Sequence, residues 1–146
     1  MLISAPAGFG KTTLVSDWII QQKVPAAWYS IDNSDNDAAE FLGYIIASVQ
    51  GLFPEFGEKA LTLLRSPKQV SQESLVHLLI NELLSLSMHF LLVLDDFHPI
   101  QNREVLNLFT YFVEHPGHSA KALRQFSICN QLHYYLFRII LENCSR

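Results

Sequence analysis

A run of ten residues at positions 4–13, SAPAGFGKTT, combines the residue types that proteins use to bind phosphate. Glycine lets the backbone adopt positive φ and approach an anion closely, so the N–H groups of such a loop can surround phosphate oxygens. Lys11 can reach the β- and γ-phosphates of a nucleotide, and the Thr12 hydroxyl can coordinate Mg²⁺. The spacing fits the phosphate-binding loop [Gly/Ala]-x-x-x-x-Gly-Lys-[Ser/Thr], with Ala5 in the first position.

The loop also has the sequence context that such a site requires. Apolar residues at 2–5 predict a strand before it, and apolar residues at helical spacing, Leu14 among them, predict a helix over 11–22 after it. A glycine-rich turn with an incidental lysine is the alternative, and the narrowness of the pattern disfavours it. The residues predicted to bind nucleotide are Ala5, Gly8, Phe9, Gly10, Lys11, Thr12 and Thr13.

A second candidate group follows a continuous apolar run at 90–94. Such a run is typical of a buried parallel strand, and ligands bind at the carboxyl ends of these strands. Asp95 and Asp96 stand at that end. We expect Asp95 to hold Mg²⁺, directly or through water, and Asp96 to orient or deprotonate an attacking water. An ordinary turn after the strand is the alternative. His98 either faces the γ-phosphate or packs in the loop, and the sequence does not separate these roles.

The remaining pattern alternates strands and helices, which favours an α/β fold with a parallel sheet and helices on both faces. The polar loop at 32–37 suits a solvated turn with a helix cap better than a metal site. The predicted strands cover 2–5, 26–31 and 90–94. The predicted helices cover 11–22, a segment ending near 53, 58–64, 71–87 and 102–115.

Composition limits the classes of function. The chain has 146 residues, of which 49% are hydrophobic, and a net charge of −4. These values fit one folded domain and give no general sign of a nucleic-acid partner. Two cysteines are too few for a disulfide scaffold, so we expect a reduced, cytoplasmic chain. No apolar run reaches the roughly 18–20 residues of a membrane span, and we expect no membrane partner.

The character of the sequence changes near Gly117. Residues up to that point hold six Lys and Arg against thirteen Asp and Glu, whereas residues 118–146 hold four against one. The basic tail is apolar nearly all round at 132–141, so that stretch must be buried or self-associate. We predict a helix over 131–142 and allow a poor strand over 125–129.

Three blocks together resemble one family. They are LISAPAGFGKTTL at 2–14, AWYSID at 27–32 followed by DND at 35–37, and LVLDDFH at 92–98. In order and spacing they are similar to the ATP-binding domain of the large LuxR-class transcriptional regulators, which are signal-transduction ATPases with numerous domains (the STAND class). The resemblance covers about residues 1–117. It implies a three-layer P-loop NTPase-type sheet, ATP/ADP and Mg²⁺ as ligands, ATP replacing ADP on inducer binding, and self-association.

The chain also departs from this family. It shows no segment before the first strand, no strand closing in a nucleotide-sensing Arg after the helix near 115, and no DNA-binding domain. In P-loop ATPases of this type that missing strand lies between the phosphate-loop strand and the Asp95 strand. We therefore expect an incomplete P-loop domain over 1–117 and a foreign tail over 118–146, arising from a frameshift or rearrangement.

The function expected from these features is nucleotide binding, with slow Mg²⁺-dependent ATP hydrolysis if the chain is active. One alternative is a truncated remnant that only associates with other chains and no longer turns over ATP. A small-molecule kinase would fit the phosphate loop but not the paired aspartates.

Overall fold

The computed structural model describes residues 9–66 and 70–114 and the backbone of one strand in the tail. A single turn of 3₁₀ helix, Asn33–Asp35, lies between the first described strand and the helix that follows it. In chain order the elements are α1 (Lys11–Gln22), β1 (Ala26–Ser30), α2 (Ala38–Gln50), α3 (Glu58–Leu64), α4 (Gln72–Ser85), β2 (Phe90–Asp95), α5 (Arg103–Glu114) and β3 (Phe126–Asn130).

The three strands form one parallel sheet in the order β1-β2-β3. The register pairs Ser30 with Asp95 on one side of β2 and Asn130 with Leu94 on the other. All six residues of β2 are buried, as its uninterrupted apolar run predicts for a central parallel strand. The carboxyl end of β2, with its two aspartates, therefore lies between the carboxyl ends of β1 and β3.

Helices cover both faces of this sheet, as predicted for a three-layer α/β domain. On one face α2, α4 and α5 share a core with alternate strand residues, and on the other face α1 places Val15 against the intervening ones. The alternation follows from the period of two along a strand. The first face carries Ala27, Tyr29, Leu92 and Leu94, and the second carries Leu91 and Val93, with Trp28 partly buried beside them.

Capping residues explain where several helices begin. The Asp37 carboxylate accepts hydrogen bonds from Ala39 N (2.8 Å) and Glu40 N (3.0 Å) at the start of α2. The Ser71 hydroxyl accepts from Ser74 N (3.3 Å) at the start of α4. Each bond satisfies an N–H group that has no partner within its own helix.

The apolar face of α4 contains a charged residue, Glu82, which has a backbone hydrogen-bond partner. Glu82 lies on the apolar face of α4, and its Oε2 accepts a hydrogen bond of 2.7 Å from Gly57 N, directly before α3. Gly57 has φ of 73°, and a Cβ there would lie 2.5 Å from Ile46 Cγ2. This position thus requires glycine for its conformation and for its close approach to α2.

The predicted helices over 11–22 and 58–64 are confirmed, and the other described elements agree within a few residues at each end. The prediction for Leu14 is wrong. Its helical spacing predicts a place on the buried face of α1, but its side chain is 61% exposed. In the tail, the strand allowed at 125–129 is present as Phe126–Asn130. The strand at 2–5 and the helix at 131–142 lie outside the described residues. Among the helices of the described ranges, none is long and apolar enough to span a membrane.

Candidate functional site

The start of α1 brings the end of the phosphate-binding sequence to the sheet. Gly10 precedes the helix with φ of 69°, in the left-handed region, and no side chain caps the helix there. Phe9 beside it is 73% exposed. Because the first N–H groups of a helix lack partners within the helix and carry its positive dipole end, this terminus suits an anion.

A hydrogen bond joins this helix start to the acidic end of β2. Thr12 Oγ1 donates to Asp95 Oδ2 at 2.9 Å, between residues 83 apart in the sequence. Asp95 is only 2% exposed, and its backbone oxygen accepts from Ile31 N at 3.0 Å. The hydroxyl and the carboxylate, predicted separately as metal ligands, are therefore neighbours in the fold.

Asp96 has an unusual backbone conformation. Its φ is 54°, one of two positive values at non-glycine residues in the described part of the chain. Its N–H donates to Asp95 Oδ1 at 3.0 Å, and its own side chain is exposed. Phe97, which follows, is fully buried. Asp96 thus lies in a left-handed turn between a buried aspartate and a buried phenylalanine, and its own side chain is exposed to solvent.

The oxygen atoms of this site fit a magnesium ion. Mg²⁺ prefers oxygen ligands, commonly one or two carboxylates together with substrate phosphates and water. Thr12 Oγ1 and Asp96 N, both neutral donors, each donate a hydrogen bond to the Asp95 carboxylate. These oxygen atoms suit a hard divalent cation, which Thr12 and Asp95 would hold and which would supply positive charge at this end of the sheet.

The predicted site residues divide into three groups. Thr12, Asp95 and Asp96 come together at the carboxyl end of β2, with half-buried Lys11 next to Thr12 on α1. Phe9, Gly10 and Thr13 are exposed around the start of α1, and His98 is exposed in the loop after β2. Ala5 and Gly8 lie outside the described residues.

The acidic loop after β1 is a capped turn, as favoured from the sequence. Asp32 Oδ1 accepts from Ser34 N (2.7 Å) and Ser34 Oγ (2.5 Å), while Asp35 Oδ2 accepts from Asp32 N (2.8 Å). The Ser34 hydroxyl, and after it the Ser34 N–H, lower the pKa of Asp32. Asp35 departs from the solvated expectation, because it is buried. No group of three or more metal-binding side chains occurs within the described ranges.

Sequence reasoning missed the role of Asn36 in this region. Its side-chain Oδ1 accepts from Gln101 N (2.8 Å) and Asn102 N (3.1 Å), and its Nδ2 donates to Pro99 O (3.0 Å). These bonds join the loop after β1 to the loop after β2. An asparagine between two aspartates is a common turn signal, and nothing in its local sequence indicates a partner more than sixty residues away.

Comparison with known proteins finds similarity to transcriptional regulators named MalT, although no protein-family model matches the chain. The chain is 35% identical over 118 residues to the HTH-type transcriptional regulator MalT of Cronobacter sakazakii (strain ATCC BAA-894), which covers 80% of this chain and 13% of that protein. It is 34% identical over 114 residues to MalT of Yersinia pestis (strain Pestoides F) and of Yersinia pseudotuberculosis serotype O:1b, covering 78% of this chain and 12% of each relative.

The parallel sheet with helices on both faces and the joined ends of α1 and β2 define a partial P-loop NTPase-type domain. The chain is therefore similar, over most of its own length, to one part of the MalT regulators. It spans about one eighth of the length of the relatives it matches.

Proposed function

We propose that this chain binds ATP and ADP with Mg²⁺, as the nucleotide-dependent switch region of a transcriptional regulator. The observation that carries the proposal is the 2.9 Å hydrogen bond between Thr12 Oγ1 and Asp95 Oδ2. It joins two sequence motifs that are predicted separately, one for phosphate and one for metal. The relationship to regulators named MalT supports the regulatory part of the proposal.

Each residue has a distinct part in the proposed site. The backbone of the phosphate loop, including Gly8 and Gly10, surrounds the phosphates, and Lys11 contributes a positive charge to them. Thr12 and Asp95 hold the metal ion, which would supply charge neutralisation at the β- and γ-phosphates. Asp96, exposed and directed away from the core, orients or deprotonates an attacking water if hydrolysis takes place.

The resemblance to the LuxR-class regulators suggests how nucleotide binding would be used. Exchange of ADP for ATP would accompany inducer binding and promote self-association of the cytoplasmic regulator. Any hydrolysis is expected to be slow, because its role would be to reset a switch.

The proposal is tested by titrating ATP into the protein, with and without Mg²⁺, by calorimetry. Lys11→Ala is expected to weaken ATP binding at least about tenfold without changing the unfolding midpoint, because the lysine supplies charge to phosphate rather than packing. Lys59→Ala, an exposed lysine of α3, is the matched control and should bind like the wild type.

Two results would contradict the proposal. Absence of saturable ATP binding by the folded wild-type chain would favour the remnant that only associates with other chains. Equal affinity in Lys11→Ala and Lys59→Ala would show that binding, if present, does not use the phosphate loop.

A further inference from the structure

Asn36 uses both ends of its side-chain amide to connect two loops at the site edge of the sheet. Besides the bonds to Pro99, Gln101 and Asn102, its Nδ2 lies 3.2 Å from Asn33 O, so this amino group has two carbonyl acceptors. In return, Asn102 Nδ2 donates to Asn36 O at 2.7 Å. Asn36 is half-buried, so these bonds are only partly replaceable by water.

The orientation of this amide is fixed by its surroundings. Oδ1 faces two backbone N–H groups, and Nδ2 faces two backbone carbonyls. Turning the amide by half a rotation would place donors against donors and acceptors against acceptors. The side chain therefore demands both a carbonyl and an amino group, and asparagine supplies both at the required length.

The loop that Asn36 holds runs directly from the acidic pair to α5. At its far end Asn102 Oδ1 accepts from Glu104 N (2.9 Å), which caps the start of α5. In its middle Ile100 N donates to Phe97 O (3.2 Å), and the Phe97 ring packs against Phe109 with centroids 4.7 Å apart.

The segments on both sides of Asp96 are held in place by other parts of the structure. Before it, β2 is paired with its neighbours; after it, Phe97 is buried and the segment from Pro99 to Asn102 is bonded to Asn36. The left-handed conformation costs free energy at any residue with a Cβ, and although aspartate tolerates it better than most residues, contacts on either side help to maintain it. The side-chain bonds of Asn36, together with the bond from Asn102 Nδ2 to Asn36 O, anchor this segment to the loop after β1.

We propose that Asn36 is a positioning residue for Asp96: by bonding to the loop at 99–102 it holds Asp96 in the left-handed conformation that turns its carboxylate out of the core. The structural part of this inference stands without a ligand. Its consequence for catalysis rests on the proposed function, since Asp96 is there assigned to the attacking water.

The test is solution NMR and hydrogen exchange on the free full chain, with Asn36→Ala compared with Asn33→Ala. Asn33 is an exposed asparagine of the same turn, and the structure gives it a backbone contact with Asn36 that alanine preserves. In Asn36→Ala, the Asp96 Cα shift and its N–H to Hα coupling are expected to lose their left-handed values. Amide exchange at Gln101 and Asn102 should accelerate about tenfold or more, while the amides of β2 keep their protection.

The outcomes separate a positioning role from a general loss of structure. Wild-type Asp96 signals in Asn36→Ala would overturn the inference, and so would an equal change in Asn33→Ala. If Asn36→Ala does not fold, Asn36→Asp decides: it keeps the acceptor that faces Gln101 and Asn102 but sets an oxygen against two carbonyls. Displaced Asp96 signals in that variant support the inference, and unchanged ones refute it.

Kinetics supply the second readout in protein that turns over ATP. Asn36→Ala should lower kcat about tenfold and leave KM within about twofold, because Asp96 is assigned to water and not to nucleotide binding. A rise in KM with unchanged kcat would contradict the inference. Failure of the wild type to bind ATP would defeat the proposed function alone, since the NMR comparison needs no nucleotide.

Discussion

Tyr29 carries a hydroxyl that the core leaves unsatisfied. Its ring lies among those of Phe41 and Tyr44, with centroid distances of 5.8 and 5.6 Å. The hydroxyl is buried without a hydrogen-bond partner of acceptable geometry among the described residues. Burial, and after it the neighbouring Asp35 carboxylate, raises the pKa of Tyr29 well above its usual range. The folded state therefore strongly disfavours tyrosinate at this position.

This environment predicts a pH-dependent effect of Tyr29→Phe. Because the folded-state pKa is raised, stability is complete below the unfolded pKa of about 10 and falls as pH rises beyond it. Phenylalanine removes the ionisable group, so the loss of stability between about pH 9 and 11 should be smaller than in the wild type. At pH 7 the free energy of unfolding should stay within about 1 kcal/mol, since no bond is lost.

Urea unfolding at pH 7 and near pH 11 measures this difference. Tyr44→Phe is the control, because Tyr44 is 49% exposed and can reach solvent. The same steepness of the alkaline loss in wild type and Tyr29→Phe would show that the hydroxyl is solvated after all.

At the residue scale, the sequence predicted the site residues that belong to short local motifs. Lys11 and Thr12 follow a glycine loop, and Asp95 ends an apolar strand, so their types and neighbours predict them. Asn36 and Tyr29 could not be found this way. The role of Asn36 depends on groups more than sixty residues away in the sequence. The role of Tyr29 depends on the burial of its hydroxyl oxygen.

The turn before α3 approaches α2 closely at Gly57. Its φ of 73° opposes any side chain, and so does the distance of 2.5 Å that would separate an added Cβ from Ile46 Cγ2. Ile46 is fully buried, so it cannot move aside without disturbing the core. Gly57→Ala should lower the free energy of unfolding by about 2–4 kcal/mol, through left-handed strain and overpacking.

For Gly43→Ala, within α2, we expect the free energy of unfolding to rise instead of fall. A Cβ at Gly43 meets no atom within 4 Å, so alanine should stabilise the helix by about 0.5–1 kcal/mol. Chemical unfolding of both variants measures the contrast. A neutral Gly57→Ala would mean that the turn before α3 relaxes freely and that its bond to Glu82 does little to fix it.

At the scale of elements, sequence periodicity and caps predicted most of the described fold. Ser71 and Asp37 mark helix starts, and the apolar run at 90–94 marks the central strand. Periodicity misjudged Leu14, which has helical spacing yet faces outward. Periodicity also did not indicate the partner of Glu82 on the apolar face of α4, the backbone N–H of Gly57.

At the scale of the molecule, β3 brings tail sequence into the sheet. Its five residues pair in parallel with β2, from Phe126 opposite Phe90 to Asn130 opposite Leu94. The family resemblance predicts a strand in the region beyond 115, and β3 lies in that region. We continue to propose that residues 118–146 are foreign to the domain. Genomic sequence that shows no continuation of the family pattern in the other reading frames would exclude a frameshift.

Removal of residues 118–146 should leave ATP affinity within about twofold, because Thr12 and Asp95 are held by α1, β1 and β2. It should lower solubility, because the second edge of β2 would be exposed. Calorimetry and the concentration dependence of light scattering measure the two effects. A large loss of affinity in a soluble, folded variant would show that the tail strand is an integral part of the site.

The most direct test of the proposed nucleotide site is the affinity for ATP of wild type and Asp95→Asn, each measured with and without Mg²⁺. Asparagine keeps an oxygen that can accept the Thr12 hydrogen bond, so the fold should be retained. We predict that Mg²⁺ strengthens ATP binding in the wild type, that Asp95→Asn loses about tenfold or more of this gain, and that affinity without metal is unchanged. An equal loss of affinity with and without Mg²⁺ would contradict the assignment of Asp95 to the metal and mark it as a structural residue.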